Sequence, residues 1–198
     1  RDAGLEIVSS FGGLAGYTYG HLLAPLAEQR AAGLAFFKRA IDMTSVMGVR
    51  TIGTPIGGMS NEDSASDKLR AKRYRDAVDS LVELSTYAKF RGVEKILIEA
   101  TPLSTEFPHS PAESLRLMND LEGKTAVPVR LLLDWGHVLF RPLLGEQADM
   151  ALWLRECQPF VEELHIQQTD GLLDRHWDFT REGIVTPELI RQVAAMTK

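Results

Sequence analysis

One cysteine, Cys157, is all the chain has, which excludes an internal disulfide and any metal site built on several thiolates. It sits beside Trp153 and Leu154 in a helical pattern, where a buried structural thiol is the expected role. No apolar run approaches the roughly 20 residues that a bilayer crossing needs. No signal-peptide pattern is visible either, and a cytoplasmic protein of a reducing compartment fits these features. Positive charge is scarce: 22 Lys and Arg stand against 27 Asp and Glu, for a net charge of -5. With no global basic field, nucleic acid is not an expected partner. The densest basic run, Lys68-Leu69-Arg70-Ala71-Lys72-Arg73-Tyr74-Arg75, has acidic neighbours Asp67, Asp76 and Asp79 and reads as a solvated helix face. Linkers rich in Pro, Gly or Ser are missing too, as are internal repeats, so one domain spanning 1–198 is the simplest organisation.

What is present is an alternation of short β-rich runs with longer helical periods, the pattern of repeated βα units. Leu5-Glu6-Ile7-Val8 reads as a strand followed by a glycine-rich loop. Leu34, Phe37 and Ile41 mark a helix from about Leu26 to Met47 that Gly48 stops. Arg50 to Thr54 is the second strand, and Tyr74, Val78, Leu81 and Ala88 place a long helix ending at Gly92. Lys95-Ile96-Leu97-Ile98-Glu99-Ala100 has the continuous apolar character of a strand covered on both faces. Ser110-Pro111-Ala112-Glu113 has the form of a helix-opening capping box. Val129 to Asp134 and Glu162 to Gln167 are two more strands, and Thr186-Pro187 opens a last helix.

Strands joined through helices are parallel, with right-handed crossovers. An open doubly wound sheet would want a Gly-rich phosphate turn directly between strand and helix. Gly53-Thr54-Pro55-Ile56-Gly57-Gly58 is a weak version of one, spoiled by its Pro and the long polar loop that follows. A closed barrel instead explains the polar residues at strand ends. Glu99, Asp134 and His165 each close a strand, one βα unit apart, and the carboxyl ends of neighbouring barrel strands converge on one mouth. Two carboxylates and an imidazole suit a divalent cation, Mn²⁺, Mg²⁺, Co²⁺ or Zn²⁺. Taken singly, each residue is more often a cap or a satisfied polar group. Repetition at equivalent positions favours the metal.

Asp134-Trp135-Gly136-His137 resembles the strand-end Asp-x-x-His of the xylose-isomerase-like TIM barrels, a superfamily of sugar isomerases, ketose 3-epimerases and endonuclease IV. Glu99 and His165 look like that family's metal-binding glutamate and histidine, and Asp174-Arg175-His176 is similar to an Asp-x-His segment of the endonuclease branch. The resemblance implies a parallel (β/α)8 barrel of which the second to sixth strands are readable here, against about 250 residues for a usual barrel. It also implies a final glutamate ligand on a strand beyond Lys198. The extra histidines that endonuclease IV needs are missing from the ends of the first two readable strands. His21 lies downstream of them and is expected to be a substrate contact or a surface residue.

By the same resemblance, the activity is a metal-dependent proton transfer beside the carbonyl of a small ketose or ketose phosphate. Glu99 would be both ligand and base, and His137 would hydrogen-bond a substrate oxygen. Arg141, Arg175, His176 and Arg181 follow the last two strands, where a phosphate could be gripped. Gln167-Gln168-Thr169-Asp170-Gly171 offers neutral donors and acceptors for hydroxyls. Trp135 and Trp177 could wall the pocket or equally pack without touching substrate, while His109 reads as filling its loop. The wording of these segments looks like the tetrulose-phosphate epimerases of erythritol catabolism, which would make the substrate an erythrulose phosphate. An aldose–ketose isomerase, a dehydratase and a non-catalytic sugar-binding barrel remain alternatives on this scaffold. Barrels of this kind often form homo-oligomers.

Overall fold

The structure is a computed structural model that describes residues 4–13 and 15–197. At its centre five parallel strands lie side by side in chain order: β1 (Ser10–Phe11), β2 (Thr51–Thr54), β3 (Lys95–Ala100), β4 (Val129–Asp134) and β5 (Val161–His165). A doubly wound sheet reverses its order at a switch point. An unreversed order with helices after every strand is instead the progression of an α/β barrel, here an arc of one.

The intervening helices are α1 (Ala15–Thr18), α2 (Ala27–Val46), α3 (Asn61–Ala65), α4 (Asp67–Phe90), α5 (Pro111–Leu121), α6 (Trp135–Val138), α7 (Arg141–Leu144), α8 (Met150–Cys157) and α9 (Pro187–Met196). Their starts are written in side-chain caps. Ser66, Ser110, Asp149 and Thr186 each accept a hydrogen bond from a backbone N–H of the first turn. Gly92, at φ +74°, takes the left-handed conformation just past α4 that other residues enter at a cost.

Register sorts the strand side chains onto two faces. Glu99 pairs with Leu132, Leu132 with Glu163, and Asp134 with His165, so Glu99, Leu132, Asp134, Glu163 and His165 share one face. The opposite face carries Ile52, Ile96, Ile98, Val129 and Leu131, which pack against Phe37, Ile41, Leu81 and Leu117 of the helices. A second cluster joins Leu133, Trp135, Trp153 and Val193. The hydrophobic face is the wall toward the helices, and the polar face is the interior of the arc.

Four expectations change. Leu5–Val8 is not a strand: Leu5, Ile7 and Val8 are 73%, 62% and 70% exposed, and the ladder with β2 begins only at Ser10 opposite Ile52. Their β-rich composition has no strand beside it among the described residues. The basic run of α4 is only partly solvated, because Arg73 is buried, with its Nε 2.6 Å from Asp63 Oδ2 and its Nη1 2.7 Å from Asp76 Oδ2. Trp135 is fully buried in the second cluster rather than on a pocket wall. His21 is not a surface residue. It is buried against the rings of Phe36 and Phe37, with Nε2 2.7 Å from the Ala15 carbonyl. Cys157 is buried as expected, and burial pushes its thiol up to about 12.

Candidate metal and substrate site

Three neighbouring strands end at one place. Glu99 on β3 and Asp134 on β4 are 1% and 3% exposed, and His165 on β5 is half-buried. One ligand atom from each lies within 4.8 Å of the others. Ligands roughly 2.0–2.4 Å from a shared cation sit at most about 4.8 Å apart, so the trio meets the distance condition for a shared divalent ion. His165 Nδ1 approaches Glu99 Oε1 to 3.7 Å, and His137 Nδ1 approaches the same oxygen to 3.8 Å.

Asp134 is fixed from one side. Its Oδ1 accepts from the Gly136 N–H at 2.7 Å, the His137 N–H at 3.3 Å and Gln167 Nε2 at 2.6 Å. These bonds cap the short helix α6, which is how the Asp-x-x-His spacing turns His137 back toward the strand end. Gly136 has to be glycine here, since a Cβ would lie 2.4 Å from Gln167 Nε2. Burial raises the Asp134 carboxyl, helped by the nearby Glu99 charge and opposed by His137 and Gln167. For His137, burial works against the charged imidazole. The hydrogen bond to Asp174 and the charges of Glu99, Asp134 and Asp174 outweigh it and lift the group to about 9.

Beside the trio opens a cavity of about 770 Å³ whose wall includes Tyr17, Glu106, His137, Asp174, Arg175 and His176. Tyr17 and His137 link it to the cation position, because the Tyr17 hydroxyl donates to Glu99 Oε2. Of the residues the sequence marks for substrate, His137, Arg175 and His176 therefore lie on one wall. Gln167 lies behind it, with its amide engaged by Asp134, Asp174 and the His176 N–H. Arg175 reaches Asp170, 2.9 Å from Nη2 to Oδ2, and lies over the Trp177 ring; Arg181 lies over the same ring. Asp170 is held down to about 2, chiefly by its hydrogen bond from Arg175. His109 contacts Glu113 and Arg70, away from this wall.

Sequence reasoning passes over three residues here. Asp174 joins His137 and His176 in a second group whose ligand atoms lie within 4.8 Å of one another. Its signal is the pairing of Asp-x-x-His with the later Asp-x-His. Tyr17 and Glu106 arrive through loops and leave no pattern. Glu106 lines the cavity and is 6% exposed, and among the described residues its buried Oε2 has no hydrogen-bond partner.

Fold and site together define a class, the parallel α/β barrels that gather carboxylates and imidazoles at the carboxyl ends of their strands. Within that class the chain belongs to the xylose isomerase-like TIM barrel family, whose model matches residues 1–197. A crystal structure from Rhodospirillum rubrum ATCC 11170, provisionally named a xylose isomerase, is 52% identical with a TM-score of 0.95, over 97% of this chain and 65% of that one. An L-ribulose 3-epimerase is 21% identical with a TM-score of 0.73, over all of this chain and 60% of its own. A 3-keto-D-glucoside 4-epimerase from E. coli is 18% identical with a TM-score of 0.69, over 98% of this chain and 69% of its own. At such identities the two epimerases share the fold. The chain thus spans about two thirds of the length of these structures. No curated protein matches it in sequence.

Proposed function

We propose that this chain carries the cation centre of a sugar isomerase or epimerase that moves a proton beside the carbonyl of a small ketose or ketose phosphate. The carrying observation is the convergence of Glu99, Asp134 and His165 from three adjacent strand ends beside an open cavity. Glu99, Asp134 and His165 would hold the ion. Bound there, a divalent cation such as Mn²⁺, Mg²⁺, Co²⁺ or Zn²⁺ supplies Lewis-acid polarisation of a substrate carbonyl.

The chain's own groups divide the remaining work. Glu99 Oε1 approaches the two imidazoles, whereas Oε2 accepts from the hydroxyl of Tyr17, a cavity-lining residue, so Oε2 is assigned the substrate proton. His137, held by Asp174 through Nε2 and by the Ala100 carbonyl through Nδ1, lines the cavity where a substrate oxygen would approach its ring. Gln167 locks Asp134 and Asp174 in place from behind. Arg175 and His176 line the cavity, where Arg175 offers positive charge to a phosphate and His176 a ring nitrogen for hydrogen bonding. Erythrulose phosphate, inverted at carbon 3, is the finer reading; it rests on the resemblance of the loop segments to tetrulose-phosphate epimerases.

Glu99→Gln tests the base assignment. Turnover is expected to fall at least about 10²-fold with an unchanged melting curve; undiminished turnover removes Glu99 as base. Product NMR in D₂O separates the reactions. Inversion at carbon 3 with deuterium uptake marks an epimerase, and carbonyl migration marks an aldose–ketose isomerase. Sugar binding without turnover, in protein purified without chelator and free of metal, would leave a binding barrel instead.

A further inference from the structure

β5 carries two consecutive glutamates with different fates. Glu162 points outward and pairs with Lys95 at the sheet surface. Glu163 lies two residues before His165, on the same interior face of the strand, and its Oε1 sits 3.0 Å from His165 Nε2. The same oxygen accepts a hydrogen bond of 3.1 Å from Ser9 Oγ, just before β1. The other ring nitrogen, Nδ1, faces Glu99 Oε1 at 3.7 Å. The ring is also flanked by Phe11, whose centroid lies 5.5 Å away at 62°.

We infer that Glu163 is a positioning residue of the cation centre, holding the His165 ring by Nε2 so that Nδ1 is the nitrogen offered to the ion. This rests on the cation site proposed above. An imidazole binds a metal through one nitrogen and carries its proton on the other. An acceptor on the second nitrogen therefore selects the tautomer, fixes ring rotation and strengthens the donor. Without Glu163 the ring keeps its edge contact with Phe11 and the approach of Nδ1 to Glu99, but no other described residue is shown bonding Nε2, and either nitrogen can carry the proton. Ser9 completes the chain by holding Glu163 Oε1 from the opposite edge of the sheet, just before β1.

The test measures Co²⁺ affinity of the intact protein by competition with a chromophoric chelator, together with the visible d–d spectrum of the bound ion. Glu163→Ala is expected to weaken Co²⁺ binding about 10- to 100-fold, while the melting curve of the cation-free protein stays in place. The near-isosteric Glu163→Gln keeps a carbonyl acceptor and recovers part of the affinity. It also carries the test should the alanine variant fail to fold. In either variant the d–d bands keep the intensity of the parent, since the ligand set is unchanged. His165→Ala alters both affinity and bands. Parental Co²⁺ affinity in both Glu163 variants overturns the inference and leaves the cation site standing. Loss of the parental bands in Glu163→Gln also overturns it, since Glu163 would then be a ligand itself. A parent protein that binds no Co²⁺ removes the site, and this inference with it.

Discussion

Glu106 is the residue whose chemistry is least explained by folding. Its backbone bridges Gly58 in antiparallel fashion, and its side chain is buried with Oε2 unpartnered. Burial raises its carboxyl, against the opposing effects of a hydrogen bond from Thr101 and the charge of His137. An acceptor left unsatisfied costs roughly 1–3 kcal/mol, and a substrate hydroxyl entering the cavity would satisfy it. Glu106→Gln is therefore expected to raise KM about 10-fold or more with no loss of thermal stability, checked by steady-state kinetics and a melting curve. A lower melting temperature with unchanged KM would make the residue structural. At this scale the legible residues are those that end strands. Glu99, Asp134 and His165 stand out because each lies at the end of a readable strand, and topology then brings them together. Tyr17 and Glu106 reach the same place by way of loops, and no periodicity in their neighbourhoods points inward.

Elements were legible in proportion to how well local and tertiary forces agree. β3 and β4 have the bounds expected of them because a strand covered on both faces leaves a continuous apolar run. The Leu5–Val8 segment has the same composition and no ladder, since composition cannot report whether a neighbouring strand is there to pair with. The His21 turn was equally hidden. It is buried by α2 approaching at Gly33, where an added Cβ would lie 2.7 Å from His21 Cα and 2.8 Å from its carbonyl carbon. Gly-to-Ala inside an exposed helix usually stabilises by about 0.5–1 kcal/mol. Here the sign reverses, and Gly33→Ala is expected to cost about 1–3 kcal/mol through the forced backbone shift, seen in chemical denaturation. A second element-level effect concerns Glu113 in the first turn of α5. Burial would raise its carboxyl, but hydrogen bonds from His109 and Arg70 prevail and hold it below the ordinary carboxylate range. A depressed carboxyl contributes stability above its unfolded value of about 4.5 and loses it as pH falls through the folded value. Glu113→Gln should therefore be less stable than the parent near neutrality, the two stability curves drawing together in acid. A constant gap from neutrality down to pH 2 would show that the ion pairs carry no linkage.

Taken as a molecule, the arc has helices along one face and acids along the other. The helix-side face is held by apolar packing, whereas the interior gathers Glu99, Asp134 and Asp174 around three imidazoles, His137, His165 and His176. Each member of the cation trio comes from a different strand, β3, β4 or β5, so an ion bound there ties three adjacent strands at their open ends. It also relieves the repulsion between Glu99 and Asp134 that helps raise the Asp134 carboxyl. The unfolded chain has no such convergence, because the three residues lie far apart in sequence, and binding energy then appears as folding stability. At a cation concentration of about 100 times Kd the gain is about 2.7 kcal/mol. For a chain of this size that corresponds to an increase of roughly 5–10 °C in Tm. Asp134→Asn keeps an oxygen for the Gly136 and His137 N–H groups but removes the charge, so its cation-free melt should stay near the parent's while the cation-dependent increase shrinks or vanishes. Differential scanning calorimetry across a Mn²⁺ series checks both arms. A Tm that does not move in the parent at any Mn²⁺ concentration would mean that the three strand ends are joined by packing alone.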